Sequence, residues 1–401
     1  MAHARSILIS GIGIAGATMA YWLGKYGFTP TLVECAPRFR DGGYVVDFWG
    51  RGYDIAERMG LVPGLKDEGY DIRELRIVDA RGRRISGFGV EVFRKLTAGR
   101  YVSIARSGLA QLIYHAVGNN VETIFGDTIT HIVQDDAGAY VEFERSPARR
   151  FDIVIGADGL HSAVRRIIFA NEDRFEKYLG YYVAAFKVDD YPYRDESIYV
   201  SYCLPGKQVA RFAMRDGRTL FLFVFASDRR ARLHDLAAQK AVLHGEFAGA
   251  GWECPLILAA MDDCNEIYFD SASQIRMDAW SRGRVALIGD AAFCPSLLAG
   301  QGAALAMIAA YVLAGELSGA EPAPEPAFRR YEQRLRPFMT EKQKAAERFA
   351  GSFAPKTRFG LLLRNQITRA LALPYVADIA LGPIVHDRLD LPEYPAARLS
   401  S

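Results

Sequence analysis

Apolar and polar positions along the chain follow two periodicities, and their order predicts the architecture. Unbroken apolar runs of strand length stand at SILIS (6–10), at TPTLVE ending on Glu34, at FDIVIG (151–156) and at RVALIG (284–289). Such runs suit strands of a parallel sheet covered on both faces. A helical pattern to about Tyr26, closed by Gly27, joins the first two runs into a strand–turn–helix–strand unit. A second helix is predicted at 107–117, with Ser107 as its cap and Leu109, Leu112, Ile113 and Ala116 on one face. Short strands follow from about 121 to 155. Between 179 and 225 the pattern changes to alternation, and YYVAAFKV and TLFLFVFAS predict an antiparallel sheet with one aromatic face. Tyr182 and Phe186, with Phe221, Phe223 and Phe225, share that face. Alternation allows both a packed core and a substrate wall there.

Residues 297–314 are apolar enough for a short membrane span. Gly300, Gln301 and Gly302 open the stretch and no charged flank frames it, so a buried helix is expected. Beyond Pro326 the chain reads as amphipathic helices, with Pro337 a kink or break. The return of the parallel-strand pattern at 284 makes the first domain discontinuous. We assign residues 1–72, 98–178 and 270–325 to it, 73–97 and 179–269 to an inserted second domain, and 326–401 to a C-terminal helical region.

Composition adds mostly exclusions. A chain of 401 residues, half of them hydrophobic and 24% charged, suits two folded domains and not a disordered segment. A net charge of +2 with interspersed signs gives no case for nucleic acid or an anionic membrane as partner. Five cysteines without CxxC or metal-like spacing read as free thiols in a reducing cytoplasm, and no metal site is expected.

Three motifs carry chemistry. Gly11, Gly13 and Gly16 follow the first strand: the first permits a tight turn, the second lets a pyrophosphate approach the backbone, and the third lets the helix pack on the strand. The helix N-terminus then offers N–H groups and partial positive charge to phosphates. Glu34, at the end of the second strand, can accept both ribose hydroxyls of an adenosine and would repel a 2′-phosphate. The turn therefore suits FAD or NAD. Gly156-Ala157-Asp158-Gly159 ends a later strand, where Asp158 is either a cofactor contact or the cap of a common turn. Gly289-Asp290 ends the last apolar strand and leads through Cys294-Pro295 to Gly300-Gln301-Gly302. Asp290 there can bond a ribityl hydroxyl, and the glycine-rich helix start can face the pyrimidine edge of a flavin.

In that order the three motifs resemble the para-hydroxybenzoate hydroxylase-like flavoprotein monooxygenases, from residue 6 to about 318. GGYVVDFWGRGYDIAERMGL, VIGADGLHSAVRRIIF and WSRGRVALIGDAAFCPSLLAGQG are most similar to tetracycline-inactivating and antibiotic-tailoring members. The resemblance implies an α/β fold: a Rossmann-like FAD-binding domain, an inserted antiparallel substrate sheet and C-terminal helices. LLLRNQITRALALPYVADIAL (361–381) is the candidate for a helix bridging the domains. It further implies that Arg106 approaches the FAD phosphates or ring edge, that Gly43 and Asp47 lie near the flavin, and that Arg40 meets a transient NADPH or NADH. Where many relatives have histidine after GDAA this chain has Phe293, which removes that proton relay.

The expected activity is oxygenation of a bulky, mostly apolar polycyclic or polyketide-like molecule, with molecular oxygen and a nicotinamide as co-substrates. The sequence names no catalytic acid–base pair and leaves the oligomeric state open. An FAD-dependent reductase or dehydrogenase, and a cyclase using FAD as scaffold, fit the same fold.

Overall fold

The computed structural model describes residues 5–39, 44–118, 121–215, 217–228, 230, 233, 235–319, 323–385 and 387–395. The apolar runs assemble into a six-stranded sheet in the order 281–282, 285–287, 153–156, 6–10, 29–34, 122–125. Its neighbours are parallel except at the short edge strand Ser281–Arg282. Ile7, Leu8, Ile9, Val154, Ile155 and Leu287 are wholly or almost wholly buried, which explains why these strands read as continuous apolar runs. Helix Ile14–Lys25 packs against this sheet, between helices Arg106–Val117 and Gly302–Ser318. A three-stranded meander covers further core, with Ala139, Val141 and Phe151 turned inward. The helix at Gly302–Ser318 is buried on all sides from Ala304 to Leu317, and no helix among the described residues is long and apolar enough to cross a membrane.

The alternating segments form a second, seven-stranded sheet in the order 268–275, 176–188, 219–226, 207–213, 198–204, 74–78, 84–89. It is antiparallel apart from the junction of Ile198–Leu204 with Glu74–Val78. That junction joins two separate stretches of chain, so no hairpin dictates its direction. Helices Leu236–Phe247 and Cys254–Asp262 cover one face. The other face looks across a two-stranded ribbon, Val45–Trp49 with Tyr101–Ala105, towards the glycine turn's domain.

Three expectations about helices need correction. The helix predicted at 107–117 starts one residue earlier, at Arg106, with Ala105 as its cap and Ser107 inside the first turn. Pro337 does not end its helix, which runs from Glu325 to Phe353. Pro337 and Gln333, whose carbonyl loses its bond, both lie on the exposed side, where water can satisfy that oxygen. The stretch at 361–381 is two helices, Arg358–Ala370 and Pro374–Val385. The bridge is instead Glu325–Phe353. Near one end Tyr331 donates to the Leu287 carbonyl at 3.1 Å, and near the other Glu347 pairs with Lys177 at 2.8 Å.

Candidate functional site

The glycine turn is shaped by close approaches that only glycine allows. Gly11 has φ +95°, and a Cβ there would stand 2.7 Å from the Ala157 carbonyl oxygen. At Gly16 a Cβ would sit 1.8 Å from the Gly11 oxygen and 3.3 Å from Ile9, so helix and strand touch at that point. Gly13 differs: nothing lies within 4 Å of where its side chain would be. It caps helix Ile14–Lys25, whose first turn holds no acid, leaving open space before a positive helix end. Glu34 borders the turn, accepting from the Ile12 N–H at 3.1 Å and the Ala36 N–H at 3.0 Å.

The two later motifs meet this turn. The Asp158 Cα is 3.0 Å from the position of a Gly11 Cβ, and Gly289 comes within 3.1 Å of Ala15 by the same measure. Arg165, fully buried, ties them together: it donates to the Ala291 carbonyl at 3.0 Å and pairs with Glu172 at 3.0 Å. Burial lowers its pKa against the Glu172 charge. Arg165 stands in the GADG-to-Arg stretch that carries the resemblance, but nothing in those residues marks it as buried. Asp158 itself is the capping aspartate of a turn. Its carboxylate accepts from Ser162 Oγ at 2.5 Å and the Val164 N–H at 3.1 Å, which commits both oxygens to its own loop.

Beyond the turn, where the ribbon faces the seven-stranded sheet, lies a cluster of charged and phenolic side chains. Arg106, Tyr44, Tyr268, Asp270, Asp290 and Cys294 stand within electrostatic reach of one another there. The Arg106 guanidinium has no ion-pair partner among the described residues. Burial opposes its charge, but Tyr44 and Asp290, with Tyr268 and Cys294, outweigh it and hold its pKa above the ordinary value. Burial raises the Asp290 carboxyl against the pull of Arg106, and pushes Tyr44 up to about 12. Gly302 begins a helix with its Cβ position 3.8 Å from Asp290 Oδ1, and Gly300 is left-handed at φ +65° with open space beside it. Asp47, on the ribbon, accepts from Tyr101 at 2.6 Å and Ser103 at 2.5 Å. Burial raises its carboxyl while these two hydroxyls oppose the shift. Arg40 and Gly43 lie outside the described residues.

The Pro295 carbonyl accepts from Gln274 Nε2 at 3.0 Å. Gln343 of the bridging helix holds the same loop through the carbonyls of Ile275, Phe293 and Cys294 at 2.7, 3.1 and 3.3 Å. No sequence signal marked Gln343, since its partners are backbone atoms distant in the chain. Phe293 lies 4.7 Å from Trp280 with the rings tilted, so an apolar core contact occupies the position after Gly289-Asp290-Ala291-Ala292.

The expected substrate wall is corrected. Tyr182, Phe186, Phe221, Phe223 and Phe225 are all at most 5% exposed and form one cluster with Leu243, Phe247, Ile257 and Met261 of the covering helices. Phe223 meets Phe247 at 4.8 Å. The residues of the opposite face form a second cluster, in which Leu220 and Phe212 are equally buried and Leu222, Tyr199 and Tyr268 are partly covered beside the ribbon. Alternation grouped the residues correctly but could not say which group the helices would cover.

A cradle with open space at Gly13, beside a helix start, fits a long dinucleotide carrying negative phosphates. Comparison with known proteins agrees. Residues 5–346 match the FAD binding domain family. A flavin-dependent monooxygenase from an unknown prokaryote is 36% identical over 349 residues, covering 86% of this chain and 89% of its own. Another, from Legionella longbeachae, is 31% identical with 98% of each chain covered. Among solved structures, the tetracycline destructase Tet(51) superposes with a TM-score of 0.83 at 32% identity, over 97% of this chain and 100% of its own. Family profile, sequence relatives and solved structure agree over nearly the whole chain: this protein belongs to the para-hydroxybenzoate hydroxylase-like FAD-dependent monooxygenases and is an FAD-dependent oxidoreductase.

Proposed function

We propose that the protein uses NADH or NADPH and molecular oxygen to oxygenate a bulky, mostly apolar polycyclic or polyketide-like molecule, in natural-product tailoring or antibiotic inactivation. The observation carrying this reading is the partly covered apolar and aromatic set Leu222, Tyr199 and Tyr268, on the sheet face that turns to the ribbon beside Arg106 and Asp290. Its lining is that of a site for a large apolar ligand with few polar anchors. The tetracycline destructase likeness points to the same class of compound.

Bound FAD would supply the oxygen-activating redox chemistry. The chain's own residues bind, orient and exclude water. The Gly13 cradle and the helix behind it take the pyrophosphate, and Glu34 takes the adenosine ribose. Arg106 meets the phosphates or ring edge, and Asp290 the ribityl chain. The start of helix Gly302–Ser318 stabilises negative charge on the flavin's pyrimidine edge. Tyr44 and Tyr268, with ring centroids 5.6 Å apart, stand beside Arg106 and stay protonated at neutral pH.

The test is to supply NADH or NADPH with a panel of polycyclic phenols and polyketides. Faster nicotinamide oxidation with matching oxygen uptake and a product heavier by one oxygen atom is the expected result. Faster oxidation with an oxygen-free product would establish a reductase instead.

A further inference from the structure

The large apolar side chains that face solvent are not spread evenly over the molecule. Among the described residues, Phe359, Leu362, Leu363, Ile367, Leu373 and Ile379 are each 52–73% exposed, whereas no other large apolar side chain exceeds 49%. Single exposed apolar residues are ordinary, but a cluster marks a surface made for contact. Four of the six stand on helix Arg358–Ala370 at i, i+3, i+4 and i+8, one stripe along its outer side. The helix is fastened from its other side. Ser86 Oγ donates to the Asn365 backbone carbonyl at 2.8 Å, and Arg369 Nε donates to the Ile85 carbonyl at 2.9 Å. It thus lies on strand Arg84–Gly89, the edge of the seven-stranded sheet, with its apolar stripe turned out. A surface helix ordinarily does the reverse.

Charge says what covers the stripe. From Arg348 to Ala377 the chain carries five cations (Arg348, Lys356, Arg358, Arg364 and Arg369) and no acid. The net charge of +2 hides this, because the balancing acids lie elsewhere in the sequence. Among the described residues the ion pair made by this stretch is Lys356 with Asp228, at 3.6 Å on the surface. Arg358 and Arg369 are both exposed and eleven residues apart, about three helical turns, so they border the stripe on one line beside Leu362. A second copy docked through the stripe would bring the same cations and, along this helix, no acid to meet them. Like charges would face each other, which opposes that pairing. An anionic bilayer offers the complement: acyl chains for the stripe, and phosphates for arginines whose apolar stems let the guanidinium reach the headgroups. With 13 residues the helix is too short to span a bilayer and long enough to lie in its interface.

We propose that the outer side of helix Arg358–Ala370 docks the enzyme on an anionic phospholipid surface. Phe359, Leu362, Leu363 and Ile367 enter the acyl boundary, while Arg358 and Arg369 meet the phosphates. The docking is reversible, because it sums one short apolar stripe and a few cations. It does not depend on which compound the enzyme oxygenates, although an apolar substrate would gather in the same bilayer.

The test sediments FAD-loaded, full-length protein with vesicles of phosphatidylcholine alone, and with vesicles in which phosphatidylglycerol replaces a quarter of it. The wild type binds the anionic vesicles about tenfold or more tightly than the neutral ones, and added salt weakens that binding. Leu362→Ser combined with Leu363→Ser lowers the affinity for anionic vesicles about tenfold or more. Arg358→Gln lowers it about fivefold, the worth of one cation at an anionic surface. FAD content and melting temperature stay as in the wild type. Leu256→Ser, at an exposed position on helix Cys254–Asp262, leaves the binding unchanged. Absence of binding to anionic vesicles, equal binding to both kinds, or an equal loss in Leu256→Ser overturns the proposal. So does a dimer in solution that the paired leucine substitutions dissociate while vesicles bind nothing, which would make the stripe an interface between copies. If the paired variant does not fold, the two kinds of vesicle and Arg358→Gln decide.

Discussion

The two faces of the seven-stranded sheet are both apolar, yet they do different work. On one, Phe221, Phe223 and Phe225 press against Phe247 and its neighbours and are almost wholly buried. On the other, Leu222, Tyr199 and Tyr268 are only partly covered and face the ribbon that carries Asp47 and Tyr101. The first face is a sheet-on-helix core inside the inserted unit. The second is closed by elements of the other sheet's domain, among them Tyr44, whose ring lies 5.6 Å from that of Tyr268. Apolarity alone does not separate core from site; what lies opposite does.

The largest expected effect is at the glycine turn, away from both faces. Gly13→Asp places a carboxylate where nothing stands within 4 Å, against the position of the pyrophosphate. Purified protein should then contain no FAD while the apoprotein melts as the wild type does; a fully loaded yellow variant would sink the cradle assignment. Next comes the direct contrast between faces. Phe223→Ala should destabilise by about 3–5 kcal/mol in denaturant unfolding with FAD affinity unchanged. Leu222→Ala, one residue along, should lose less stability and raise the Kd of a bound polycycle. If the two variants swap phenotypes, the assignment of faces is reversed.

Glu34→Ala tests the nucleotide end without touching either face. Losing charged hydrogen bonds to the ribose should weaken FAD by about 1–3 kcal/mol, read by fluorescence on reconstitution of apoprotein. Affinity equal to the wild type would mean that Glu34 serves only the turn's own N–H groups.

The smallest effect concerns the seam between the domains. His161 approaches Asp270 at 3.2 Å and Glu172 at 3.0 Å, and these two partners, Asp270 first, raise its pKa from 6.5 to about 10. A raised folded-state pKa contributes stability that is complete below about pH 6.5 and is lost as pH climbs towards 10. His161 is half exposed, so the gain is screened to roughly 1 kcal/mol or less. His161→Gln should accordingly melt below the wild type at pH 6 and converge on it by pH 10; a gap that widens with pH would contradict the pairing.

Much of the nucleotide side was legible because its requirements are local. Gly11 must take a positive φ and Gly16 must let a helix touch a strand, and both demands fall on residues a few positions apart. Asp158 shows the limit. The GADG pattern marked the correct loop, yet whether its carboxylate would reach outward or cap Ser162 and Val164 depended on six residues of loop geometry. Pro337 shows another: proline weakens a helix by itself, but a helix 29 residues long, anchored at Tyr331 and Glu347 by separate domains, continues through it.

The sequence by itself determined the glycine turn, the order of the motifs, the parallel and alternating strands, and therefore the family. These follow from backbone sterics and from periodicities read within a dozen residues. Only the tertiary structure decided which face of the second sheet the helices cover, which helix bridges the domains, and that Gln343 and Arg165 fasten the last motif in place. It alone turned the polar side of Arg358–Ala370 inward. Burial is a property of the partner that arrives from elsewhere in the chain, and no stretch of residues carries the identity of its partner.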